Sequence, residues 1–158
     1  MSENTVKSAP FVELKFGPKW TYVSTVRSFM QNFLAVTFEN KIKADKISMA
    51  VSELVENAVK YSEQEDAFIR LRILNEGHMV EVLVVNHCTE EQANIVTEFI
   101  REINSMPPLE AYMEMMRRSV NSPNKSQLGL ARIRYESEGS LDVNYAYDRI
   151  SVKAVFNI

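Results

Sequence analysis

AFIRLRILNEGHMVEVLVVN, residues 67–86, is the stretch that sets the fold class. Ile69, Leu71 and Ile73 alternate with Arg70 and Arg72, Asn75-Glu76-Gly77 supplies a turn, and Val80, Val82 and Val84 resume on one face. Alternation on both sides of a short turn predicts a β-hairpin with one buried face. Something amphipathic must cover that face, and the flanking sequence supplies it.

Upstream, FVELKF (11–16) alternates like a half-buried strand and stops at Gly17-Pro18. TYVSTVRSFMQNFLAVTF then sets Val23, Val26, Met30, Phe33 and Leu34 on one helical face. NKIKAD is polar and predicts a connection. A second helix is expected from about Asp45, as N-cap, to Tyr61. Downstream, TEEQANIVTEFIREINSM predicts a helix capped by Thr89, with acids in its first turn. PPLEAYMEMMRRSV predicts another with Pro108 near its start, NSPNKSQ a loop, and LGLARIRYESEG a helix ended by Gly139. SLDVNYAYDRISVKAVFNI closes as a second hairpin, with Leu141, Val143 and Tyr145 alternating before Val152, Ala154 and Phe156.

The resulting order, β-α-α-β-β-α-α-α-β-β, indicates an α+β fold. The expected form is a two-layer α/β sandwich, a mostly antiparallel sheet covered on one face by helices. Residues 1–10 form a polar leader, and 11–158 fit one domain. With 46% hydrophobic and 25% charged residues, the 158-residue chain has the composition of a globular protein able to bury a core. A net charge of -3 gives no general pull toward nucleic acid or anionic membrane. Neither a secretory signal nor an apolar run of membrane-spanning length is evident, and the single cysteine, Cys88, fits a reducing compartment. The expectation is a cytoplasmic protein.

Chemistry concentrates in SELVENAVKYS, residues 52–62. Val51, Leu54, Ala58 and Tyr61 make an apolar stripe, and Glu53, Asn57 and Lys60 line one edge of it. A carboxylate so placed can take a proton from a hydroxyl. An Asn oxygen is a hard ligand suited to Mg²⁺, and a Lys one turn on can meet a phosphate. The alternative is a solvated face with Glu56 and Lys60 as an i,i+4 pair.

SELVENAVKYS also resembles the N-box of the GHKL (histidine-kinase-like) ATPase superfamily, E-x-x-x-N-A-x-K-[HY]. ISMAVSELVENAVKYS looks like the anti-sigma-factor serine-kinase branch, and VRSFMQNFLAVTF is similar to that branch's first long helix. EFIREINSM, LEAYMEMMRRSV and LGLARIRYES resemble the SiaB-like proteins of bacterial partner-switching systems. The likeness runs from about Phe11 to Ile158. It implies the histidine-kinase-like ATPase fold, Mg²⁺ and ATP as cofactors, Glu53 as catalytic base, Asn57 as metal ligand, and Lys60 near the phosphates. It further implies a small antagonist-type protein partner phosphorylated on Ser/Thr, and a homodimer using Met49 and the edge of the first helix.

Two boxes depart from the family pattern. Where D-x-G-x-G is expected, Asn86 stands for the Asp, followed by His87 and Cys88 with no glycine. A neutral acceptor contributes about 0.5–1.5 kcal/mol to a hydrogen bond, against roughly 1.5–3 for a charged one. G-x-G-L survives only as SQLGL, with Gln127 in place of the first Gly, which leaves Gly129, Leu130 and nearby Lys125 as nucleotide-side candidates. The opposing reading of LGLAR is an apolar helix start, and that of the chain is a diverged ATPase-fold module that binds a protein partner without nucleotide. His87-Cys88 is a poor zinc pattern, His78 decorates a hairpin, and the methionines of EAYMEMMRRSV suit a core helix or a lid.

Overall fold

A computed structural model describes residues 9–17, 19–62, 66–121 and 126–158, with the backbone alone for 126 and 127. Five strands form one sheet: β1 (Phe11–Phe16), β2 (Ala67–Leu74), β3 (Met79–His87), β4 (Ser140–Ala146) and β5 (Arg149–Asn157). Their order is β1-β2-β3-β5-β4 and every ladder is antiparallel. The period-2 pattern explains the register. Leu71 opposite Val82 and Val84 opposite Val152 put the apolar residues on one face. Ile69, Leu71, Val80, Val82, Ala154 and Phe156 are fully or nearly fully buried there, each of the larger ones stabilising by about 1.5–3 kcal/mol. On the opposite face Arg70 and Arg72 converge on Glu81, at 3.7 and 2.6 Å.

Five helices cover the apolar face: α1 (Trp20–Thr37), α2 (Lys41–Tyr61), α3 (Glu90–Asn104), α4 (Pro108–Ser119) and α5 (Ser126–Tyr135). α2 packs on β3 and touches both α1 and α5, α3 lies against β4, and α4 leans on α5. α3 starts as expected, with Thr89 and Gln92 in a reciprocal capping box.

Three local expectations are corrected. α2 begins at Lys41, because Asn40 rather than Asp45 caps it, its Oδ1 accepting from the Lys43 N–H at 3.1 Å. Asp45 lies inside the helix and instead accepts from Gln31 Nε2 at 2.8 Å, which ties α2 to α1. α5 begins at Ser126, so the loop is shorter than NSPNKSQ. At the other end of α5 the left-handed residue is Glu138, φ 56°. Gly139 is demanded by proximity, since a Cβ there would lie 2.5 Å from the Phe156 ring.

The Asn75-Glu76-Gly77 turn appears where expected, all three residues at positive φ. Among the described residues, no helix is long and apolar enough to cross a membrane.

Candidate functional site

One edge of α2 carries Glu53 and Asn57 one turn apart, and the helix phase carries them to different depths. Asn57 is only 8% exposed, and its Nδ2 has no hydrogen-bond partner among the described residues. A buried amide left unpaired costs about 1–3 kcal/mol, and an apolar side chain would avoid that. Lys60 falls on the exposed last turn, its ammonium 5.2 Å from the Tyr61 ring centroid.

Asn57 shares a small cavity with Asn86. Tyr61 from α2, Val84 from β3, Val96 from α3 and Ile150 from β5 complete its wall. The β3 register delivers Asn86 there, opposite Ile150 at the end of the ladder. Asn86 is buried, and its Nδ2 donates to the His87 carbonyl at 3.1 Å. Residues 29 positions apart, picked out in the sequence for separate reasons, therefore meet. The free space is about 10 Å³, room for one water and no more.

Glu53 points at α5. Gly129 has no side chain, and the Glu53 carboxylate fills the gap, its Oε2 lying 2.0 Å from where a Cβ would be. Its Oε1 is 3.5 Å from Arg132 Nη1. Burial raises the Glu53 pKa, Glu56 and Glu136 push the same way, and Arg132 and Arg27 oppose them. A carboxyl kept partly out of water suits proton uptake, and the Arg132 guanidinium works against it. Leu130 is buried in the core, so it supports α5 from within. Lys125 lies outside the described residues.

Arg132 escaped the sequence reading. Beyond Glu53, its Nη2 donates to Glu136 Oε2 at 3.0 Å and to Met49 Sδ at 3.3 Å. The signal was present as Gly129, Arg132 and Glu136 at i, i+3 and i+7, one face of a helix. Also unforeseen is an open groove of about 800 Å³ between the end of α3 and α4, where Met106, Leu109 and Met113 face Arg117 and Arg118. The methionines of α4 divide accordingly, with Met115 in the core and Met113 and Met116 exposed.

The donor set fits a magnesium-bound nucleotide in its chemistry. An Asn57 amide supplies a hard oxygen and an unpartnered N–H, Asn86 a second amide, and Lys60 a cation one turn away. The space between the two amides, about 10 Å³ and walled by α2, β3, α3 and β5, is too small for a nucleotide as it stands.

No protein-family model matches the sequence, and no curated protein matches it. Solved structures do. A chain in the crystal structure of the SiaB–SiaC complex from Pseudomonas aeruginosa superposes with a TM-score of 0.72 at 16% identity, covering 92% of this chain and 88% of that one. The RsbU and RsbW domains of Rv1364c from Mycobacterium tuberculosis match with a TM-score of 0.56 at 13% identity. There the match covers 94% of this chain and 32% of that longer one. With the antiparallel sheet and the helical layer in place, this chain shares its fold with these two structures.

Proposed function

We propose that this chain is a signalling regulator of the partner-switching type that binds Mg-ATP on the inner edge of α2 and acts on a small antagonist-type protein partner. The observation that carries the proposal is Asn57. Its amide is nine-tenths buried, unpartnered at Nδ2 among the described residues, and faces Asn86 across a cavity with otherwise mostly apolar walls. A fold-only role would favour a leucine there, since the orphaned amide destabilises the closed state by about 1–3 kcal/mol. The likeness to a chain of the SiaB–SiaC complex supports a protein partner.

In this reading Asn57 holds the metal, Asn86 meets the base of the nucleotide, and Lys60 balances phosphate charge. The bound group would supply the phosphoryl donor and the metal's Lewis acidity. Glu53 is the proton acceptor, taking the proton at a carboxylate oxygen from a partner Ser/Thr hydroxyl. Its raised pKa makes it a stronger base than an exposed glutamate. Burial against Gly129 of α5 keeps water from competing for that oxygen.

A second reading is the nucleotide-free partner-binding module. It is favoured by one observation, the closed cavity of about 10 Å³. Calorimetric titration of Mg-ATP into the wild type, Asn57→Ala and Glu53→Gln separates the two. Binding by the wild type and Glu53→Gln, lost in Asn57→Ala, is the expected result, followed by phosphate transfer to an antagonist-type domain in the wild type alone. No heat at millimolar nucleotide, with a partner domain present as well as absent, would replace the first reading by the second.

A further inference from the structure

We propose that α4 is a self-association surface, whose outward apolar stripe packs antiparallel against the same stripe of a second copy of this chain, across a two-fold axis. The inference is independent of the nucleotide reading and concerns a different part of the molecule.

α4 is apolar on two sides. Ala111 and Met115 face inward and are buried. Leu109, Met113, Met116 and Val120 follow one another at spacings of four, three and four, which gathers them on one stripe turned away from that core face. They are 49%, 61%, 46% and 83% exposed. A helix with apolar residues on both sides is built to be covered on both, and the described residues cover one. Spacings that alternate between three and four are those of the seam between two paired helices. Beside the stripe runs the open groove of about 800 Å³, to which Met106 and Pro107 add apolar wall from the connection to α3. A methionine-rich surface of this kind adapts readily to an incoming helix.

Charge selects the occupant. On the groove side of the stripe Glu110 lies in the first turn of α4 and Arg117 in the last, two turns apart and in the same helical phase. An antiparallel second α4 that sets its Met116 on Met113 and its Val120 on Leu109 brings its Arg117 beside Glu110. The two-fold axis then repeats the same pair at the other end. A parallel copy keeps Glu110 level with Glu110 and Arg117 level with Arg117, and forms neither pair. Arg117 has donors to spare for this. Its partner among the described residues is Glu114 of its own helix, at 2.6 Å in a pair open to solvent on the arginine side. Arg118 is turned the other way, toward Glu102 near the end of α3, and closes the back of the groove.

The test uses the full chain without nucleotide, in sedimentation velocity over a wide range of protein concentration. The wild type should pass from one copy to two as concentration rises. The methyl signals of Met113 and Met116 should shift with that change, while that of the fully buried Met30 stays in place. Met113→Glu alters an exposed position, so it should keep the wild-type circular dichroism and sediment as a monomer. Glu110→Arg and Arg117→Glu each set like charges together at both ends of the seam and should weaken the dimer at least about tenfold. Mixed in equal amounts, those two variants should pair with each other as tightly as the wild type pairs with itself, since every acid then meets a base. Phe29→Glu, on the exposed side of α1, should leave the dimer unchanged. A wild type that stays monomeric, a dimer untouched by Met113→Glu, a dimer lost in Phe29→Glu, or charge variants that fail to recover on mixing would each overturn the assignment.

Discussion

Asn57→Leu should make this protein more stable and less functional. The two side chains have the same number and branching of heavy atoms, so the exchange replaces an amide by two methyls with little change in shape. Asn57 is 8% exposed and walled by Leu54, Val84, Val96, Ile150 and Val152. Removing the unpaired Nδ2 relieves about 1–3 kcal/mol. The roomier methyls draw on a cavity of only about 10 Å³, and mild overpacking returns about 1 kcal/mol of that gain. The net expectation is a gain of about 0–2 kcal/mol, which at this chain length is a rise in Tm of up to roughly 8 °C. Urea unfolding at pH 7 measures it, with Asn57→Ala as the control that leaves a hole. Mg-ATP binding should vanish in the leucine variant. A loss of 1 kcal/mol or more in Asn57→Leu would mean the amide is satisfied and structural, and the argument that it is kept for a ligand would collapse.

Gly129, inside α5, and Gly139, beyond its end, should part company. Gly139→Ala drives a Cβ to 2.5 Å from the fully buried Phe156 ring and should cost about 1–3 kcal/mol in urea unfolding. Gly129→Ala meets only the swinging end of Glu53, and the gain in helix propensity of roughly 1 kcal/mol offsets the displacement, so stability should hold while Glu53 loses its place beside Arg132. Glu53 binds its proton more tightly folded than unfolded. Its favourable contribution is therefore present at low pH and lost as pH rises from the ordinary carboxylate value, near 4.5, through the raised folded one. The stability of wild type minus Glu53→Gln, followed across that window, should fall, and a rising difference would contradict the assigned burial. Glu114 behaves oppositely, because hydrogen bonds from Arg117 and Arg118 hold its pKa down to about 2. Its help to α4 is present above the ordinary value and lost as pH falls from 4.5 toward 2, visible as exchange in residues 108–119.

All five strands were legible because alternation is a direct image of a half-buried pleat, and Leu71 or Val82 has no other place to go. The helices were legible as elements and less so at their ends. Asp45 and Asn40 are both good caps on paper, and the choice was made by Gln31, a residue of another helix that engages Asp45. Gly139 invited a dihedral explanation, yet its reason is an aromatic ring 17 residues away. In the site, Glu53 and Asn57 were readable from helical spacing. Their difference in depth was not, because it depends on how α2 is rolled against β3 and α5. Arg132 was hidden for the same reason, since its contact with Glu53 joins positions 79 apart.

The strand order also has a bearing on how the protein is made. β5 lies between β3 and β4, so the middle of the sheet is closed by residues 149–157, which leave the ribosome after everything they pair with. Until then β3 presents an open edge rich in valine, and α3 to α5 have only part of a sheet to rest on. Synthesis should therefore carry a vulnerable interval that ends when β5 zips into place, and mutations that slow that step should lower yield in cells without altering the finished fold.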